Sequence, residues 1–161
     1  ASLLHGVVGG EPPALDLAAE RQLHDCALDV MRRGYALSAH DVNEGGLLVA
    51  LAESCFTSEA GFGLMVTLGS KLPLESVLFG EEASRILLEV PENHLADALR
   101  VAAQYGVKAR KLGWTTVGEF RVLLNAETIL DEPVRALAEV WATSLPRAMS
   151  ARPEASGGRA A

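Results

Sequence analysis

Cysteine is nearly missing from this chain: its 161 residues hold only Cys26 and Cys55. No Cys-x-x-Cys spacing exists, which argues against a zinc site or a redox pair. Both thiols fall in apolar helical patterns, where a free cysteine acts as a small buried hydrophobe. Positive charge is also short. Fourteen lysines and arginines stand against 21 acids, for a net charge of −7. That balance argues against generic binding to nucleic acid or an anionic membrane. A phosphorylated small molecule needs only a local cluster of donors and stays open. Long hydrophobic runs are missing as well. The longest is broken by Glu53 and Ser54, so no transmembrane helix is expected. No secretion signal is evident at the start, and there is no Walker or dinucleotide fingerprint and no convincing internal repeat. The cytoplasm is the expected compartment. The chain opens on Ala1 without an initiator methionine and reads as a piece of a longer, or a processed, protein.

What is present is 49% hydrophobic, enough for one well-buried domain. Residues 1–13, rich in glycine and proline, read as a linker. Residues 14–149 read as the domain. Residues 150–161, small and polar, read as a disordered tail. Within the domain, Asp16 is placed to cap a helix over 17–33, which Gly34 closes. A short strand over 35–39 follows, then a helix over 45–57. A strand over 64–68 and a short helix over 74–79 come next. The clearest strand is 84–90, stopped by Pro91. An amphipathic helix over 92–105 turns Leu95, Ala98, Leu99 and Ala102 inward. Residues 107–115 and 119–124 read as a hairpin or neighbouring strands. Asp131 then caps a last helix, 132–145, with Pro133 in its first turn. This order predicts an α/β (α+β) fold with a single mixed sheet flanked by helices.

The stretch from Ser38 to Leu47, SAHDVNEGGL, concentrates the chemistry. Gly45 and Gly46 stand at a helix start, where backbone N–H groups can face an anion; the plainer reading is a tight turn that needs positive φ. His40 and Asp41 offer an imidazole–carboxylate neighbourhood; the plainer reading is a backbone-bonded histidine and a turn-capping acid. The segment from Phe79 to Arg85, FGEEASR, is the other candidate. Glu81 and Glu82 suit magnesium or a proton, and Arg85 suits an anion. The plainer reading is a solvated turn with Arg85 paired to an acid. No nucleophile–base set and no metal cluster emerge.

Residues 38–53, SAHDVNEGGLLVALAE, resemble the S-A-H-D-V-S-D-G-G-L-x-V-A-L-A-E signature of the phosphoribosylformylglycinamidine synthase subunit II family. LFGEEASR at 78–85 is similar to that family's L-F-G-E-x-x-S-R segment. GGEPPALDL at 9–17 and the stretch from Trp141 to Met149 resemble its approach to, and end of, the last domain. Asn43-Glu44 departs from the commoner Ser-Asp and lengthens the acid. The resemblance implies a C-terminal domain of the aminoimidazole ribonucleotide synthetase type. It implies a parent enzyme that converts formylglycinamide ribonucleotide to the amidine, with ATP, magnesium and ammonia. A glutaminase subunit and a small bridging subunit would join it. The catalytic histidine and the main ATP and magnesium ligands would lie in upstream domains, leaving no catalytic or metal residue in this piece. The ligand- or phosphate-facing candidates are His40, Asp41, Gly45, Gly46 and Arg85. Two alternatives are a purely structural and docking domain, and the same domain from aminoimidazole ribonucleotide synthetase, selenophosphate synthetase or a hydrogenase maturation enzyme. An isolated domain with uncovered apolar surface would self-associate.

Overall fold

The computed structural model describes residues 14–56 and 61–150. The expected linker, most of the expected tail and part of the turn near Glu59 lie outside these residues. The chain divides into two compact units, residues 1–51 with 72–111 and residues 52–71 with 112–161.

The first unit contains helix α1 (Leu17–Arg32), strand β1 (Ser38–Asp41), the first turns of helix α2 (Gly46–Phe56), helix α3 (Leu74–Phe79), strand β3 (Ile86–Glu89), a 3-10 turn (Glu92–His94) and helix α4 (Leu95–Gln104). Helix α1 starts where expected. The Asp16 carboxylate accepts the N–H groups of Ala18 (2.9 Å) and Ala19 (3.1 Å), which the first turn would otherwise leave unpaired. It closes with a Schellman motif: Gly34 (φ +72°) donates to Met31, and Tyr35 donates to Val30. Helix α4 ends the same way, with Gly106 donating to Ala103 and Val107 to Ala102. Both motifs turn an apolar residue, Tyr35 or Val107, back onto a shared core of Cys26, Val30, Ala98, Val101 and Ala102. Burying a side chain of Val30's size contributes roughly 1.5–3 kcal/mol. Val101 replaces Leu99 on the inner stripe expected for this helix, and Leu99 is exposed.

Strands β1 and β3 form a two-stranded antiparallel ladder that pairs His40 with Leu87 and Asp41 with Ile86. β1 begins later than expected. Tyr35 and Ala36 pack on the helical core, and the ladder opens with the Leu37 N–H bonded to the Glu89 carbonyl.

The second unit contains strands β2 (Phe62–Leu68), β4 (Gly113–Val117), β5 (Glu119–Leu124) and β6 (Glu127–Pro133), and helix α5 (Val134–Ser150). The strand order is β4-β2-β5-β6, with β2 and β5 parallel and the other pairs antiparallel. Alternate residues fill one face: Leu64 opposite Phe120, Val66 opposite Val122, Leu68 opposite Leu124. All six are buried.

The mixed α/β class is as expected, but the strands divide between two sheets instead of joining one. Two further expectations change. β4 and β5 are not a hairpin, because β2 lies between them. The chain crosses the end of β2 at Gly118, whose N–H bonds the Gly61 carbonyl. The close approach needs glycine. A Cβ on Gly113 would sit 1.8 Å from the Met65 carbonyl oxygen, and one on Gly63 would sit 2.0 Å from that of Glu119. The true hairpin is β5–β6, turning on Asn125 (φ +52°) and Ala126 (φ +70°). Asp131 and Pro133 therefore belong to a strand, and α5 starts at Val134. Proline is tolerated there because β6 is an edge strand. Pro146 does not end α5, which runs on to Ser150. Trp141 donates from Nε1 to Glu53 (3.1 Å) and packs against Phe56.

Candidate functional site

The two segments singled out in the sequence meet in the first unit. The β1–β3 ladder places the end of β1 beside the start of β3, and one more bond continues it: the Val42 N–H donates to the Arg85 carbonyl (3.0 Å). Side chains alternate along each strand. His40 and Arg85 therefore lie on one face of the ribbon, and Asp41 lies on the other.

His40 is partly buried and Asp41 is exposed. The imidazole Nδ1 lies 2.6 Å from the Asp41 carbonyl oxygen and 3.9 Å from its carboxylate. A carbonyl only accepts, so Nδ1 carries the proton in the neutral ring and Nε2 is the basic nitrogen. The nearer of the two contacts is to backbone.

Gly45 (φ +81°) and Gly46 (φ +71°) both adopt the left-handed conformation. The turn demands it, and space does too: a Cβ on Gly46 would lie 2.6 Å from the Phe79 backbone. The Gly45 N–H donates to the Glu81 carboxylate (2.9 Å), and the Gly46 N–H donates to the Asn43 carbonyl (3.0 Å). Both amides thus have acceptors within the protein, and the first of these is an anion.

Arg85 is partly buried. Its Nη2 donates to the Gly80 carbonyl and its Nε is buried without a partner. Among the described residues the expected pairing of Arg85 with an acid does not form. Ser84 sits at φ +67°, unusual for a residue with a Cβ, and its hydroxyl donates to Glu20 of α1. Backbone in sparsely populated regions clusters at functional sites. The contacts of Glu81 and Ser84 were not readable in advance, because each joins residues far apart in the chain and no local spacing announces it. Among the described residues no three His, Cys, Asp or Glu side chains converge to hold a metal ion.

A second polar cluster links α1 to α4. Arg33 grips Asp29 with two hydrogen bonds of 2.9 Å, and the Tyr105 hydroxyl approaches the same carboxylate at 3.4 Å. The Arg33 hydrogen bond holds the Asp29 carboxyl below its ordinary range. Burial, then the Asp29 charge, pushes the Cys26 thiol and the Tyr105 phenol up. A raised thiol pKa makes Cys26 a poor nucleophile.

The chain belongs to the AIR synthase related proteins, C-terminal domain, which it matches over residues 2–125. Within that family it is similar to phosphoribosylformylglycinamidine synthase subunit PurL. It is 40% identical over 143 residues to PurL of Thermomicrobium roseum, covering 88% of this chain and 19% of that protein. It is 39% identical over 165 residues to PurL of Anaeromyxobacter dehalogenans, covering 98% and 21%. The chain therefore spans about a fifth of the length of the curated relatives it matches. The fold is that of part of Thermotoga maritima PurL. The structure of that protein complexed with ATP matches with a TM-score of 0.69 at 21% identity, over 77% of this chain and 22% of that one. Its PurLQS structure matches with a TM-score of 0.68 at 19% identity, over 85% and 24%.

Proposed function

We propose that this chain serves as the C-terminal domain of a phosphoribosylformylglycinamidine synthase, an ATP-dependent carbon–nitrogen ligase of purine biosynthesis. The observation that carries the proposal is the 40% identity to PurL over 88% of the chain. The contact between the two signature segments across the β1–β3 ladder supports it. In this reading residues 14–149 are the functional domain, reached through the 1–13 linker and trailed by 150–161. The chain carries no catalytic residue and is inactive alone. His40, Asp41, Gly45, Gly46 and Arg85 border the ligand, with His40 and Arg85 on one face as the stronger pair. ATP and magnesium act in the larger protein; ATP and FGAR are the ligands named for the Thermotoga relative. The partners are the upstream domains, a glutaminase subunit and a small bridging subunit, in the cytoplasm. A PurLQS assembly exists for that same relative. The test is nucleotide and substrate affinity of the full-length protein, read by thermal shift. His40→Ala and Arg85→Ala are expected to weaken binding at least tenfold. Unchanged affinity in both would end the reading.

One observation favours a docking role instead: both loop amides are satisfied within the protein. In that reading the same two variants lose thermal stability but keep ligand affinity. Exposed Trp114, Val117, Trp141, Leu145 and Met149 in the second unit favour self-association of the isolated chain. Sedimentation is expected to show oligomers at high concentration, and a clean monomer would overturn that.

A further inference from the structure

We propose that Glu81 is a positioning residue: its carboxylate holds the 42–46 loop in its shape directly after the strand end where the ladder sets His40 and Arg85 on a shared face. The inference rests on the ligand-bordering role proposed for those two residues. The loop is fastened to the 79–85 segment at three points. Two of them are backbone. At one end the Val42 N–H bonds the Arg85 carbonyl. At the other end Gly46 lies against the Phe79 backbone, with no room for a Cβ. The third is the Glu81 carboxylate on the Gly45 N–H at 2.9 Å, and it is a side chain reaching across 36 residues. A charged acceptor makes the stronger kind of amide hydrogen bond. Arg85 completes the arrangement. Its guanidinium holds the Gly80 carbonyl, next to Glu81, while its own carbonyl holds Val42. The carboxylate thus acts on the loop backbone, which accounts for Glu81 without magnesium or proton transfer.

The geometry also separates acceptor from charge. Glutamine keeps an acceptor oxygen at the same reach, and alanine does not. In the full-length protein, Glu81→Ala is expected to speed amide exchange in peptides covering 42–48 by at least tenfold. It should raise KM for the ribonucleotide substrate about as much and leave kcat within twofold. Glu81→Gln should restore most of both. A purely structural role would lower the melting temperature without splitting KM from kcat. Unchanged exchange in Glu81→Ala would overturn the proposal, and so would equal damage from both variants. If exchange rises while KM stays put, the clasp stands and the ligand-bordering reading fails. The His40→Ala and Arg85→Ala affinities then confirm that outcome independently.

Discussion

In the four-stranded sheet, Phe120 and Val122 are 0% exposed, and their cross-strand partners Leu64 and Val66 are buried beside them. In the two-stranded ladder, no residue of β1 or β3 is fully buried. The first sheet is held by apolar packing, which is non-directional and tolerant of surface chemistry. The second is held beside the glycine pair by directed contacts, a carboxylate on one amide and a guanidinium on one carbonyl, and by two glycines in left-handed backbone. Directed contacts specify a shape at named atoms. They also make that shape sensitive to single groups.

The two sheets can be damaged separately, each by its own mechanism. Phe120→Ala leaves a void beneath the four-stranded sheet and should destabilise the protein by about 3–5 kcal/mol, measured by urea unfolding. Amide exchange of the 42–48 peptides under native conditions should rise far less than with Glu81→Ala. On the other side, Gly46→Ala meets two obstacles. A left-handed residue with a Cβ costs roughly 1–2 kcal/mol, and pressing a methyl into the Phe79 backbone adds about 1–3 kcal/mol. Gly34→Ala is the control. Its φ is +72°, the same within a degree, and nothing lies within 4 Å of the added Cβ. It should show the first cost alone. Equal losses from the two alanine variants would mean that the Phe79 contact adds nothing, and the clamped loop would need another explanation.

How much of this was legible in the sequence follows the same division. Local signals worked. Asp16 and Gly34 announced both ends of α1, and the Leu74–Phe79 helix and the core of β2 were visible from apolar spacing. The mixed α/β class followed from element order. Long-range pairing did not show. β6 was hidden because its hairpin turns on Asn125-Ala126, which lacks the Asn-Gly signal of a tight turn. Asp131 before Pro133 imitates a helix cap. The insertion of β2 between β4 and β5 depends on Gly63 and Gly113, whose close approach to another strand no local spacing announces. The sequence singled out the two segments that touch in the first unit, but not their contact. A 36-residue separation leaves no periodicity that joins Gly45 to Glu81. Only the resemblance to a family tied the two segments together before the structure did.

Smaller effects refine the contrast within the first unit, whose helices carry directed contacts of their own. Asp16→Ala removes the acceptor for the Ala18 and Ala19 amides and should cost about 1 kcal/mol, seen as a lower melting temperature. Serine at the same position should recover most of it, because its hydroxyl serves as a cap equally well.

The Asp29 cluster gives the smallest effect and a defined pH signature. Its carboxyl is held below the ordinary range, chiefly by the Arg33 hydrogen bond. A group depressed in the folded state stabilises fully above its unfolded value, about 3.9 for aspartate. That contribution is lost as pH falls through the folded value. Asp29→Asn should therefore be less stable than the parent at pH 7, and the gap should close below about pH 4. The phenol of Tyr105 gives the opposite limb. Burial and the Asp29 charge raise it, so the folded state holds its proton longer and stability falls as pH rises past the ordinary tyrosine value, about 10. Tyr105→Phe should reduce that alkaline limb to the part contributed by the raised Cys26 thiol and leave most of the acid limb intact, since Arg33 and not Tyr105 is the main partner of Asp29. Unfolding in urea from pH 3 to 11 reads both limbs. A gap between the parent and Asp29→Asn that stays constant across the acid range would show that the Arg33 contact holds geometry without holding charge.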